Sequence, residues 1–219
     1  MVDIFDEINE ELRAERTQAL LKRYAGVILA TVVLIVVAAA GWEAWRWWQA
    51  KQDRVAAEKF LAATTIAEGG KSNAASRNIA IADFNAIAAS APDGYRTLAR
   101  LRSAALQSQS GNLAGAVQQW NALATDPNAE PLLRDLANLL WAEHQIDTGD
   151  PALLAARLKA LAEPGSPWRP LAAEQLALLD LRQGKTAAAK TTLTGLAEDL
   201  TAPSGVRERA VEMLGRLGS

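Results

Sequence analysis

The 219-residue chain contains no cysteine and a single histidine. The first absence excludes a disulfide scaffold, thiolate zinc sites and cysteine nucleophiles. The second leaves little for metal or base chemistry. His144 stands in NLLWAEHQID beside Glu143, and adjacent helix residues point about 100° apart rather than facing one another. No H-E-x-x-H spacing occurs, and no serine sits in a G-x-S-x-G context. Gly70-Lys71-Ser72 has the tail of a phosphate-binding loop, but Thr65 stands where G-x-x-x-x-G-K-[ST] needs its first glycine. Basic stripes are also missing. From Gln49 onward 18 basic and 18 acidic residues are intermixed, which argues against nucleic acid as a partner. No segment alternates with period two for long enough to argue a sheet. The expectation is a non-enzyme with no catalytic residue, cofactor, metal site or small-molecule substrate.

What is present begins with one apolar run, Tyr24 to Trp42, YAGVILATVVLIVVAAAGW, without a charge. A helix of that length spans about 28 Å, close to the ~30 Å hydrocarbon core of a bilayer. Trp42, Trp45, Trp47 and Trp48 crowd its exit, four of the seven tryptophans in the chain. Indole pairs an apolar body with one N–H donor and prefers the headgroup level. Lys22, Arg23 and Tyr24 mark the other mouth. These residues are expected to form a transmembrane helix over residues 24–48, with lipid around it. Lys22 and Arg23 abut the run while Arg46 lies beyond Trp42, which leans toward an inside N-terminus. Ala38-Ala39-Ala40 supplies the small residues of a cleavage site. The leading 23 residues, however, hold six acids against four bases, and the run exceeds a signal-peptide core, so an uncleaved anchor is expected. Gly26 and Ala30 form a small-xxx-small pair of a kind common by chance.

Residues 1–23 read as a short N-terminal helix, with Asp3 as cap and Ile4, Ile8 and Leu12 as an apolar stripe beside Phe5. Beyond the tryptophans, residues 49–219 are rich in Ala and Leu, which favours helices. Gln49 to Glu68 has no Gly or Pro, and Gly69-Gly70-Lys71-Ser72-Asn73 is the first clear interruption. Helical runs then alternate with short loops. Asp150-Pro151 and Ser166-Pro167 each read as an N-cap followed by a first-turn proline, and Thr186 as a third cap.

Aligned on turn glycines, the chain repeats. Gly111 is followed by Ala116, Trp120 and Leu123; Gly149 by Leu154, Leu158 and Leu161; Gly184 by Ala189, Leu193 and Leu196. The offsets +5, +9 and +12 thus recur three times, on glycines 38 and 35 residues apart. A glycine would admit a tight turn between helices A and B, with the later positions facing one core groove. Leu176-Ala177 take the large-then-small places on the last helix A. An earlier unit runs through Phe84, Ile87 and Pro92, and Val206 to Leu217 reads as a terminal capping helix. Trp120, Trp141 and Trp168 are expected to pack rather than to hold a cofactor.

The period and phase resemble tetratricopeptide repeats, with the usual helix A aromatic missing from every unit. The resemblance implies an all-α helical solenoid of three to four pairs plus a cap. The wider layout is VDIFDEINEELRAER, one span, a tryptophan-rich exit, then DTGDPA and GSPWRPLA. It resembles the YfgM-like family of bacterial inner-membrane proteins, ancillary to the SecYEG translocon. That likeness implies a single-pass protein with its N-terminus cytoplasmic and its repeat domain periplasmic. It also implies the Sec translocon and periplasmic chaperones as partners. An envelope-organising scaffold in a division or wall-synthesis complex is the alternative, and a degenerate or substrate-assisted enzyme is a third, remote one.

Overall fold

The computed structural model describes the backbone of residues 4–69 and 73–218, and the side chains within them from Arg23 onward, Ile28 excepted. The Asp3 cap, the side chains of Ile4, Phe5, Ile8, Leu12 and Lys22, and the Gly70-Lys71-Ser72 stretch lie outside the described residues. Among the described residues the fold is all-helical. In order come α1 (Ile4–Gly69), α2 (Ala74–Ser90), α3 (Asp93–Gln109), α4 (Leu113–Ala124), α5 (Pro131–Glu143), α6 (Pro151–Leu161), α7 (Arg169–Arg182), α8 (Thr186–Glu198) and α9 (Ser204–Gly218). The chain divides into two units, one through Gln52 and the other from Asp53 onward.

Capping side chains set three helix starts in the second unit. Asn73 accepts from the Ala75 N–H at 2.9 Å, Asn112 from Gly115 at 3.1 Å and Asp150 from Ala152 at 2.9 Å. Each satisfies a first-turn donor that the helix itself leaves orphaned. Two expected caps differ. Ser166 accepts from the Trp168 N–H at 3.2 Å inside a separate turn, and α7 begins three residues later at Arg169. The cause is Trp168, whose indole N–H donates to the Leu132 carbonyl at 3.2 Å and holds that turn against α5. Thr186 is the first residue of α8 rather than its cap. Gly184 at φ 75° turns the chain, and the Lys185 N–H donates to the Asp180 carbonyl at 2.8 Å. The helix therefore starts at Thr186.

Every residue at the +5, +9 and +12 positions is buried: Ala116, Trp120 and Leu123 on α4, Leu154, Leu158 and Leu161 on α6, Ala189, Leu193 and Leu196 on α8. Phe84 and Ile87 are buried on α2 in the same way, against Ala56 and Ala63 from α1. The core is therefore a series. One cluster joins the C-terminal part of α1 to α2 and α3, a second runs from α3 to α7, and a third links α7, α8 and α9. From α2 onward each helix packs on its chain neighbours. In addition α3 meets α5, α5 meets α7 and α7 meets α9, whereas α4, α6 and α8 have no such next-but-one neighbours. Helices α3, α5, α7 and α9 are thus the closer-set, inner layer of a two-layer stack.

Polar staples repeat at the same period. Arg157 donates to Asn121 at 2.8 Å across 36 residues, Arg182 to the Ile146 carbonyl at 2.8 Å across 36, and Arg209 to Glu174 at 2.6 Å across 35. Arg100 reaches Asp126 at 2.6 Å. Arg100, and after it the Asn128 N–H, hydrogen-bond the Asp126 carboxylate and hold its pKa below the ordinary value.

Gly111 and Gly184 occupy left-handed backbone, at φ 85° and 75°. Gly149 does not, and close approach explains it instead. A Cβ there would lie 2.9 Å from the Gln145 carbonyl oxygen and 3.2 Å from the Leu154 methyl. Gly149→Ala should therefore cost about 1–3 kcal/mol by overpacking, measured by thermal or urea unfolding of the full chain in detergent. Because the Asp126 pKa is lowered in the fold, its contribution is complete above about pH 4 and is lost as the pH falls further. Asp126→Asn should flatten the acid limb of the pH–stability curve, and an unchanged limb would exclude this staple as its source.

Candidate functional site

Two surfaces stand apart from the packed core. The first is on α1, where one helical stretch near the N-terminus is long and apolar enough to cross a membrane. Its most apolar window has mean hydropathy 2.5 and no buried residue. Arg23 and Tyr24 are exposed at its start. Trp42, Trp45, Trp47 and Trp48 are all more than half exposed. The Trp42 and Trp45 rings lie 5.4 Å apart, and the Lys51 ammonium sits 5.5 Å from the Trp47 ring. In water such a surface has nothing to offset the cost of its hydration.

The second surface is a groove of about 500 Å³ across α5, α7 and α9, the inner layer at the C-terminal end. Leu139 comes from α5, Leu171 and Leu178 from α7, and Met213 from α9. Glu174 belongs to its lining and is only 3% exposed, which an isolated carboxylate would not tolerate. Arg209 answers it with a two-pronged contact, Nε to Oε1 and Nη2 to Oε2, both at 2.6 Å. The hydrogen-bonded carboxylate pushes the Arg209 pKa further up. Glu212 and Arg216 form a second pair at 2.6 Å along α9. The arrangement is a charged but largely self-neutralised wall beside an apolar strip. It suits surface recognition, and it lacks a nucleophile–base geometry.

The other singled-out side chains have packing duties. His144 follows the last residue of α5, its Nδ1–H donating to the Leu140 carbonyl at 2.9 Å. Its ring lies 4.4 Å from that of the buried Trp120. The Trp141 ring carries the Arg157 guanidinium at 3.9 Å, a cation–π seat between α5 and α6. Among the described residues no group of three or more His, Asp and Glu side chains could hold a metal ion. Sequence reasoning missed Glu174 and Arg209. A signal existed, since an acid and an arginine lie one repeat period apart on two inner helices, but charged pairs are too common for spacing alone to select that one.

The tetratricopeptide repeat-like domain family matches residues 18–134. The chain belongs to this family. The matched residues take in the apolar run and the helices as far as the first turn of α5, and the later pairs α5–α6 and α7–α8 repeat the same order. Searches of curated proteins and of solved structures each returned no match. Tetratricopeptide repeat-like folds typically hold protein partners rather than catalyse, in keeping with a groove of largely paired charge and half-buried leucine.

The Glu174–Arg209 pair of this tetratricopeptide repeat-like protein should be asymmetric on mutation. Arg209→Ala strands a buried carboxylate and should cost about 2–4 kcal/mol, whereas Glu174→Gln leaves a half-exposed guanidinium that can turn to water and should cost about 1 kcal/mol. Urea denaturation of the two variants checks the order.

Proposed function

We propose that this tetratricopeptide repeat-like protein is a membrane-anchored interaction module. On this reading residues 1–23 are cytoplasmic, 24–48 cross the inner membrane of a bacterium, and 49–219 form a periplasmic domain. The observation that carries it is the wholly unburied apolar window of α1, in a chain whose other helices bury their apolar faces on neighbours. Lys22 and Arg23 stand at one mouth of that window and the four tryptophans at the other, and this near-flank charge supports an inside N-terminus. Anchoring a binding domain raises its effective concentration at the membrane without any new contact. The likeness of the start, the exit and the DTGDPA and GSPWRPLA stretches to YfgM-like proteins supports the Sec translocon and periplasmic chaperones as the partners. Lipid is the second partner. Catalysis has no part in this function.

Topology is directly testable because the chain has no cysteine. In intact cells with a permeabilised outer membrane, Ser166→Cys should react with a membrane-impermeant maleimide and Glu10→Cys should not. The reverse pattern would overturn the orientation. For the partner, a photo-crosslinking residue at Leu178 in the full chain should capture translocon or periplasmic chaperone components in native membranes. Their absence from every adduct, with midcell enrichment on imaging, would favour the envelope-scaffold alternative.

A further inference from the structure

Building on the reading that the repeat domain binds protein, we propose that the groove over α5, α7 and α9 takes an extended apolar peptide segment that carries a positive charge. The Glu143 carboxylate is its counter-charge.

Five charged side chains line this groove, and four of them cancel. Glu174 is engaged by Arg209 through two 2.6 Å bonds, and Glu212 by Arg216 at 2.6 Å. Glu143 belongs to neither pair. It stands exposed at the last residue of α5 and acts on Arg209 only through space. Among the described residues no cation lies within ion-pairing distance of it. The groove therefore presents one net negative charge, and an incoming acidic segment finds both arginines already held. A second feature points to a hydrogen-bond donor. Gln175 lines the groove with its side-chain oxygen unpartnered and almost fully enclosed, so a segment that draws the carboxamide outward as it binds gives that oxygen the donor it lacks. The backbone N–H of an extended segment is the donor that such a position accepts, whereas a helix has spent its interior N–H groups on its own carbonyls. Leu178 and Met213 then offer the apolar surface for side chains flanking the cation. The volume, about 500 Å³, holds a few side chains rather than a folded surface.

The test uses the full chain in phosphatidylcholine nanodiscs and two fluorescein-labelled nonapeptides, Gly-Ser-Leu-Lys-Leu-Lys-Leu-Ser-Gly and its counterpart with both lysines replaced by glutamate. Fluorescence anisotropy, corrected against empty nanodiscs, reads binding. The lysine peptide should bind at least about tenfold more tightly than the glutamate peptide, with the gap narrowing in high salt. Glu143→Lys should weaken the lysine peptide by about 3- to 10-fold, and Glu143→Gln by less, with the thermal melt of both variants unchanged. Equal binding of the two peptides, or an unaffected Glu143→Lys variant that melts normally, would overturn the charge preference. If both peptides compete equally with photo-crosslinking from Leu178, protein binding stands and only the cationic preference fails. If neither peptide binds at millimolar concentration, the groove is not a peptide site, and the Leu178 adducts then decide the interaction reading separately.

Discussion

Everything in the repeat domain depends on one constraint: a single helix pair cannot bury its own apolar face. Trp120, Leu158 and Leu193 occupy the same place in successive outer helices, and each is enclosed only because the next pair lies against it. Burial therefore propagates from neighbour to neighbour as three overlapping clusters rather than one central core. The polar contacts obey the same rule. Arg157, Arg182 and Arg209 all reach back one repeat, across 36, 36 and 35 residues. Each ties the geometry of its own unit to that of the preceding one, and Arg209 holds α9 directly on α7.

The same constraint explains why the two ends differ. At the C-terminal end α9 turns Val206 and Ala210 inward and keeps Glu208, Glu212 and Arg216 for solvent and for the groove. Among the described residues of the first unit nothing packs on the apolar window of α1. Val27, Leu34, Ile35 and Val37 are exposed, as an aqueous fold would not leave them. What the outer helices obtain from neighbours, this stretch does not obtain from the fold, and it is long and apolar enough to cross a membrane.

Recognition and stability also share residues. Glu174 is buried deeply enough that it needs Arg209, and Arg209 is thereby withdrawn from any ligand. The groove's electrostatic character is then decided by the residue left over, Glu143, rather than by the number of charges along its wall. A buried ion pair contributes modestly to net stability once desolvation is counted. Its effect here is to orient α9 on α7 and to set the sign of the surface beside them.

Much of this was legible beforehand for a simple reason: helix periodicity, capping side chains and hydrophobic length are local properties. The all-helical class followed from alanine and leucine content and from the lack of period-two runs. The repeat phase followed from three glycines and the residues after them, and the Asp150 cap from its own dipeptide. The start of α7 was not legible, because Trp168 is held by a carbonyl 36 residues earlier, and neither was the start of α8, which a glycine turn sets. Gly149 was expected to serve a turn, yet it is small because Gln145 and Leu154 leave no room for a methyl group. The sequence by itself determined that the chain is helical, periodic and equipped with one membrane-length run, since each of these is written within a few turns of helix. Only the tertiary structure decided which charges cancel, which carboxylate stays free and where the groove lies. Those depend on distances between residues a full repeat apart, and no local pattern encodes them.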